Sequence, residues 1–169
     1  ATFLAAARLG AVAVLVNPSL AEREHKRMAD IASPSLVVCR EELDDRFHKT
    51  LHPDELLRSA ERSRPRPVED VSSDHPLYIQ FTSGTTGAPK GAVHRHSDLE
   101  VYARTGGVDV VWISETDVTL SVSKLYFAYG FANSFAYPFF SGAAVVLMPQ
   151  KPSAAAVGEL IARHGVTIL

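Results

Sequence analysis

The residues best suited to chemistry are concentrated in one stretch, QFTSGTTGAPKGAVHRH, at positions 80–96. From Thr82 to Gly91 it holds three glycines, four hydroxyl residues and one lysine. Glycine allows positive φ and close backbone approach, so successive exposed N–H groups can form a concave nest for phosphate oxygens. The hydroxyl groups add donors, and the ammonium of Lys90 can act as a point charge on phosphate. The pattern therefore predicts a phosphate-binding loop. The predicted ligands are Thr82, Ser83, Gly84, Thr85, Thr86, Gly87 and Lys90.

This loop departs from the commonest nucleotide-binding signatures. A Walker A loop starting at Gly84 would need glycine at position 89 and serine or threonine at 91, where the chain has Pro89 and Gly91. A strand-like segment follows instead of a helix, and no G-x-G-x-x-G for a dinucleotide is present. An ordinary flexible turn is the alternative, and the proline and lysine beside the glycines disfavour it.

The histidines do not predict a metal site. His48 and His52 are spaced i, i+4 as on a zinc-binding helix, but the glutamate of H-E-x-x-H is missing. His94 and His96 lack the carboxylate or cysteine neighbours of a metal site. We therefore expect no metal ligand within this chain.

Composition restricts the class of protein and of partner. The 169 residues suit one globular domain, with 46% hydrophobic residues and a net charge of −2. That balance offers no electrostatic footprint for nucleic acid or an anionic membrane, so we expect neither as a partner. Cys39 has no second cysteine to pair with, which excludes an internal disulfide and favours a reducing, cytoplasmic setting.

The elements that must position the loop alternate along the chain. Apolar runs predict strands over 11–17, 35–39, 77–82, 91–94, 117–123 and 143–148. Periodicity predicts helices over 2–9, about 20–31, 41–62 with a break at Pro53, and 129–140, and others starting near Asp98 and Ser153. We interpret Ser19 with Glu22, and Ser97 with Glu100, as capping boxes. The segment 108–113 is ambiguous between strand and helix end. The alternation predicts an α/β fold with a partly parallel sheet and flanking helices.

The string TSGTTGAPKG resembles the phosphate-binding signature of the adenylate-forming enzymes: acyl-CoA ligases, luciferases and peptide-synthetase adenylation domains. The resemblance covers nearly the whole chain and is loosest over 41–75. It implies that the chain is an incomplete part of that family's large N-terminal domain, lacking the C-terminal domain. Within it we expect a helix and strand segment at 1–61, a proline-rich connector at 62–76, and the loop and acid pocket at 77–169.

The stretch KLYFAYGFANSFAYPFFSGAAVVLM, 124–148, resembles the benzoate-CoA ligase group, as does GAVHRHSDL after the loop. By position, the resemblance implies that an aromatic acid is flanked by Ala128 and Tyr129, with Gly130 and, as a weaker candidate, Phe131 in the same turn. Without the resemblance, packing in the core would be the preferred role for these aromatics. For Lys124, beside the turn, a functional role and that of a surface lysine with its ammonium in solvent both stay open, and the second explains it at least as well.

The resemblance implies two half-reactions for the parent enzyme. The acid and ATP give acyl-AMP and pyrophosphate, with a magnesium ion sharing the phosphate charge and Lys90 as a catalytic residue. The thiol of coenzyme A then displaces AMP. The family's acidic magnesium motif, ribose-binding aspartate motif and C-terminal catalytic lysine are not found here, so we expect the 169-residue chain alone to be inactive. The alternatives are an adenylation domain that loads a carrier-protein thiol, and a non-catalytic nucleotide-binding module.

Overall fold

The computed structural model of the chain describes residues 1–40, 49–64, 66–83 and 89–169. The helices are α1 (Thr2–Arg8), α2 (Glu22–Ala32), α3 (Pro53–Arg62), α4 (His96–Tyr102), α5 (Ala128–Phe131), α6 (Tyr137–Ser141) and α7 (Ala154–His164). The strands are β1 (Ala13–Leu15), β2 (Val37–Val38), β3 (Thr50–Leu51), β4 (Pro76–Ser83), β5 (Pro89–Arg95), β6 (Val118–Leu120) and β7 (Ala144–Val146). A π-helical segment continues α4 over Ala103–Val108, and another joins α5 to α6 over Ala132–Ala136. In the described ranges, no helix combines the length and the apolar character that a bilayer crossing requires.

The strands form small sheets of mixed direction. In the largest, β4 is central: it runs parallel to β1 and antiparallel to β5. The pairs β2–β3 and β6–β7 are parallel, and an isolated parallel bridge joins Thr119 to Ile168. Parallel neighbours joined through helices and one antiparallel hairpin confirm the predicted α/β class with a partly parallel sheet.

An aromatic cluster holds β4 against α1 and α5. The ring of Phe3 packs edge-on against Tyr78, Phe131 and Phe135, with centroid distances of 5.8, 5.3 and 5.0 Å. Tyr78 and Phe131 are each only 2% exposed. Burying one such side chain stabilises the fold by about 1.5–3 kcal/mol, so this cluster fixes the position of α5 relative to β4. The predicted helix over 129–140 is confirmed, and it is buried in its middle, whereas Tyr129, Phe139 and Phe140 at its ends are exposed.

Both predicted capping boxes are wrong: a capping contact is present at the start of each helix, but it is made by residues other than the predicted ones. Helix α2 begins at Glu22, and the carboxylate of Glu24 accepts a hydrogen bond from the Ala21 N–H at 3.0 Å. Helix α4 begins directly after β5, and the carboxylate of Asp98 accepts from the Arg95 N–H at 2.9 Å. In each case the acidic residue lies three positions after the true N-cap, because the preceding strand or turn, and not the serine, sets where the helix begins.

The helix predicted over 41–62 is confirmed from Pro53 to Arg62 and is wrong at Thr50–Leu51, which form a strand. Residues 41–48, including His48, lie outside the described residues. Thr50–Leu51 pairs with β2 as a strand, and the helix begins at Pro53, whose missing N–H costs nothing in a first turn. His52 is the N-cap: its Nδ1 accepts from the Asp54 N–H at 3.2 Å. The ambiguous segment 108–113 is the end of a helical segment followed by a turn.

Candidate functional site

The glycine-rich stretch is the connection of a β-hairpin. Strands β4 and β5 pair in register up to Thr82 opposite Lys90 and Ser83 opposite Pro89. The predicted ligands Gly84, Thr85, Thr86 and Gly87 fall in 84–88, outside the described residues. The two ends of the loop are therefore held side by side by the strand pairing, which confirms the strand–loop–strand arrangement predicted for this stretch.

One face of this hairpin carries Thr82 and Lys90 together. Side chains alternate along a strand, so residues two apart share a face, as do residues directly opposite each other. The stacked rings of Tyr78 and His94, 4.5 Å apart and inclined by 11°, identify that face. Gln80 is next along β4, then Thr82 opposite Lys90. Thr82 and Lys90 are both exposed, and Lys90 has no hydrogen-bond or ion-pair partner among the described residues.

A second group of exposed side chains lies in the turn that follows β6. The N–H of Phe127 donates to the carbonyl of Lys124 at 2.9 Å and closes the turn, and α5 begins at the next residue, Ala128. Phe127 is 53% exposed and Tyr129 is 48% exposed. Large aromatic side chains are usually buried in the core. The predicted acid-pocket turn therefore presents an unusual amount of apolar surface to solvent.

The other two residues predicted for this pocket are buried. Phe131 is part of the aromatic core, with its ring 4.9 Å from that of Tyr78. Gly130 lies flush against the main chain of the turn: a Cβ added there would clash with the Lys124 carbonyl and lie 2.5 Å from the Ser123 carbonyl oxygen. Only glycine permits this approach, so Gly130 sets how closely the turn packs on α5.

Side-chain hydrogen bonds join the aromatic turn and the start of α5 to the hairpin and to helix α4. The amide of Gln80, which is 6% exposed, donates to the carbonyl of Tyr126 at 3.4 Å. The hydroxyl of Tyr102 in α4 donates to the carbonyl of Ala128 at 3.1 Å, and burial is the main cause that raises the pKa of Tyr102 to about 12. Neither Gln80 nor Tyr102 was predicted from the sequence as part of the site. The signal for Gln80 was available, as a polar residue inside an otherwise apolar strand, but nothing in the sequence indicated its partner.

Lys124 also contributes to the site in a way that the sequence did not reveal. Its ammonium donates to the main-chain carbonyls of Met148, Pro149 and Gln150, at 2.6, 3.2 and 2.6 Å. Of the two roles that the sequence left open for Lys124, that of a surface lysine with its ammonium in solvent does not fit these contacts. Among the residues that the structure describes, no three His, Cys, Asp or Glu side chains lie close enough together to hold a metal ion.

Several known proteins have sequences similar to that of this chain. A family model described as AMP-binding enzyme matches residues 1–169. The chain is 36% identical over 170 residues to the p-hydroxybenzoic acid–AMP ligase FadD22 of Mycobacterium tuberculosis, covering 98% of this chain and 24% of that protein. It is 34% identical over 186 residues to the benzoate–CoA ligase of Thauera aromatica, covering 96% of this chain and 34% of that protein.

The fold is similar to that of a solved structure. The o-succinylbenzoate CoA synthetase (MenE) of Bacillus subtilis, in complex with its acyl-adenylate intermediate, matches with a TM-score of 0.86 and 26% identity, covering 99% of this chain and 44% of that one. The chain spans about a quarter to a third of the length of the curated relatives named above. Since the family model matches the sequence from its first residue to its last, the chain belongs to the AMP-binding enzyme family.

Proposed function

We propose that this chain supplies the phosphate loop and the acid pocket of an enzyme that activates an aromatic carboxylic acid with ATP. The observation that carries the proposal is the Gln80–Tyr126 hydrogen bond. Gln80 lies two residues before Thr82 on the hairpin face, and Tyr126 lies two residues before Ala128 in the turn. The contact brings strand β4 of the hairpin and the exposed aromatic turn together. A reaction between a nucleotide phosphate and an aromatic acid requires that juxtaposition.

The hairpin end would hold the phosphates of ATP. In the proposal, Thr82 and Ser83 donate hydroxyl hydrogen bonds together with Thr85 and Thr86, and Gly84 and Gly87 allow backbone N–H groups to reach the oxygens. Lys90 is the catalytic residue: its ammonium opposes the negative charge that builds on the phosphates as pyrophosphate leaves. The exposure of Lys90 and the absence of a competing carboxylate among its described neighbours support this role.

The turn would hold the acid. We propose that Ala128 and Tyr129 flank the aromatic ring, Gly130 keeps the turn close to α5, and the exposed ring of Phe127 completes the apolar wall. Phe131 is not assigned to the pocket, because its ring is already packed in the core. A flat ring gains about 0.5–1.5 kcal/mol from stacking on an aromatic side chain beyond area burial, which a linear acyl chain would forgo.

The names of the relatives support the acid class and leave the acceptor to be tested. One relative is a p-hydroxybenzoic acid–AMP ligase and the other a benzoate–CoA ligase, so both names specify an aromatic acid. MenE has been solved with its acyl-adenylate and also with ATP and a magnesium ion. For this chain we propose acyl-AMP formation with ATP and magnesium, followed by transfer to coenzyme A. A carrier-protein thiol is the alternative acceptor.

The experiment uses a protein of the relatives' length that contains these residues, because we propose that the 169 residues alone are inactive. Pyrophosphate release is measured with benzoate, hydroxybenzoates, acetate, hexanoate and palmitate, and thioester formation is measured with coenzyme A. We expect kcat/KM to be highest for an aromatic acid. A higher kcat/KM for an aliphatic acid would refute the acid class, and no pyrophosphate release with any acid would favour a nucleotide-binding module.

The assignment of Tyr129 has its own test. Tyr129→Ala should lower kcat/KM for the aromatic acid while the KM for ATP stays near its original value. Phe140→Ala is the matched control, because Phe140 is also an exposed aromatic residue, 44% exposed, and lies in α6 at the other end of the same helical run. This substitution should leave kcat/KM for the acid and the KM for ATP unchanged. A larger effect of Tyr129→Ala on ATP than on the acid would assign Tyr129 to the nucleotide site instead.

A further inference from the structure

We propose that Lys124 is a positioning residue for the acid pocket: its ammonium ties the turn that carries Ala128 and Tyr129 to the chain segment after β7. The inference rests on the proposed function, because it concerns the pocket assigned there. It assigns a role to a residue for which the sequence left open both a functional role and that of a surface lysine.

The contacts of Lys124 satisfy its ammonium completely. A lysine ammonium has three N–H donors and no acceptor, and here it meets three carbonyl oxygens, those of Met148, Pro149 and Gln150, at 2.6, 3.2 and 2.6 Å. Hydrogen bonds from a charged donor are roughly twice as strong as neutral ones. Three hydrogen bonds hold this half-buried side chain in one defined geometry, unlike an ordinary surface lysine.

The topology explains why these two segments meet. Strands β6 and β7 are parallel and adjacent, with Leu120 opposite Val146. The chain therefore leaves both strands at the same edge, and the segments that follow them run side by side. Carbonyl groups beyond a strand end have lost their ladder partners and need other donors. Lys124 supplies donors to three successive carbonyls of the second segment.

The main chain of Lys124 is held from the opposite side. Its carbonyl accepts from the Phe127 N–H at 2.9 Å and lies against Gly130, where there is no room for a Cβ. One residue thus contacts α5 through its backbone and the segment 148–150 through its side chain. Ala128 and Tyr129 lie four and five residues after Lys124. The distance between these two side chains and the segment 148–150 therefore depends on the hydrogen bonds of Lys124. We infer that Lys124 sets the width of the acid pocket.

The chemistry of the link distinguishes lysine from arginine. Three carbonyls converging on one nitrogen match a compact ammonium, whereas guanidinium spreads its donors over a planar fork on a longer side chain. Lys124→Arg should therefore fail to restore the pocket despite keeping the charge. Lys124→Ala removes the equivalent of n-propylamine, so added n-propylammonium should occupy the space and donate to the same carbonyls.

The experiment uses the full-length protein and measures KM for the aromatic acid and for ATP separately. We expect Lys124→Ala to raise the acid KM by about tenfold, equivalent to a loss of about 1.4 kcal/mol, with the ATP KM changed less than about twofold. Millimolar n-propylammonium should lower the KM of the Lys124→Ala variant for the acid part of the way toward the wild-type value. It should leave the KM of the wild-type protein unchanged. Lys151→Ala, which removes an exposed lysine beside the same segment, should change neither constant.

The outcomes separate this inference from the proposed function. If the original protein does not activate aromatic acids, the proposed function fails. If it does, an unchanged acid KM in Lys124→Ala, a parallel change in both KM values, or equal activity of Lys124→Arg would overturn the role of Lys124. If Lys124→Ala does not fold, Lys124→Met keeps the apolar stem and takes its place, with the same split between the two KM values expected.

Discussion

Gly130→Ala tests whether the close approach between α5 and the preceding turn holds the acid pocket in shape. A Cβ at this position would lie 2.5 Å from the Ser123 carbonyl oxygen and 2.6 Å from the Lys124 carbonyl carbon, in addition to a clash with the Lys124 carbonyl oxygen. All three atoms belong to the main chain, so no side chain can rotate away and the turn itself must move. Overpacking of this kind costs about 1–3 kcal/mol of folding free energy.

Gly158→Ala is the matched control for this substitution. Gly158 lies in helix α7, and a Cβ there would have nothing within 4 Å. Replacing glycine by alanine in a helix stabilises it by about 0.5–1 kcal/mol. Both variants receive that helical gain, so the difference between their free energies of unfolding isolates the strain at Gly130. We expect Gly158→Ala to be more stable than Gly130→Ala by about 1–3 kcal/mol.

Urea denaturation followed by circular dichroism measures this difference, provided that the m-value is the same in both variants. Because the turn that moves carries Ala128 and Tyr129, Gly130→Ala should also raise the KM for the aromatic acid, whereas Gly158→Ala should not. Equal stability of the two variants would show that the turn yields without cost, and would refute the argument that Gly130 fixes its position. Lower stability with an unchanged acid KM would separate the turn from the pocket.

Further predictions concern the phosphate loop and the buried tyrosines. Lys90→Ala should slow acyl-AMP formation, because about 2–4 kcal/mol of transition-state stabilisation is lost. Thioester formation from pre-formed acyl-AMP should stay near its wild-type rate. Single-turnover measurements that show an equal loss of rate in both half-reactions would contradict the assignment of Lys90. Burial raises the pKa of Tyr78 and of Tyr102 to about 12, so the native state keeps protons that the unfolded state loses near pH 10. The free energy of unfolding is therefore unaffected by the ionisation of these tyrosines below about pH 10. Between pH 10 and about 12 it falls by up to about 1.4 kcal/mol per pH unit for each tyrosine. Tyr102→Phe should make the decline in unfolding free energy shallower between those pH values, and an unchanged slope would refute the contribution of Tyr102.

Most residues of the candidate site could be proposed from the sequence because their signals are local. The glycines, hydroxyls, Pro89 and Lys90 lie within ten consecutive positions, and the apolar runs on either side predict the strands that pair as a hairpin. The same holds for the aromatic turn around Tyr129 and for the buried helix that follows it. The alternation of strands and helices was enough for the α/β class, and the signature string was enough for the family.

Helix starts were predicted less well, again for a physical reason. Ser19 and Ser97 each precede a glutamate by three residues, and both pairs satisfy the capping-box pattern. Whether a serine becomes the cap depends instead on where the preceding strand or turn ends. Ser153 is the N-cap of α7, where its hydroxyl accepts from the Ala156 N–H at 3.3 Å, whereas Ser19 and Ser97 are not caps.

The contacts that assemble the site were decided only by the tertiary structure. Gln80 meets Tyr126 across 46 residues of sequence, Tyr102 meets the Ala128 carbonyl across 26, and Lys124 meets the Met148 carbonyl across 24. In each pair the acceptor is a main-chain carbonyl, which every residue type carries and which leaves no mark in the sequence. Residue types and spacing therefore determined which groups could do chemistry, while the packing of α5 on β4 and of β6 beside β7 determined which groups meet.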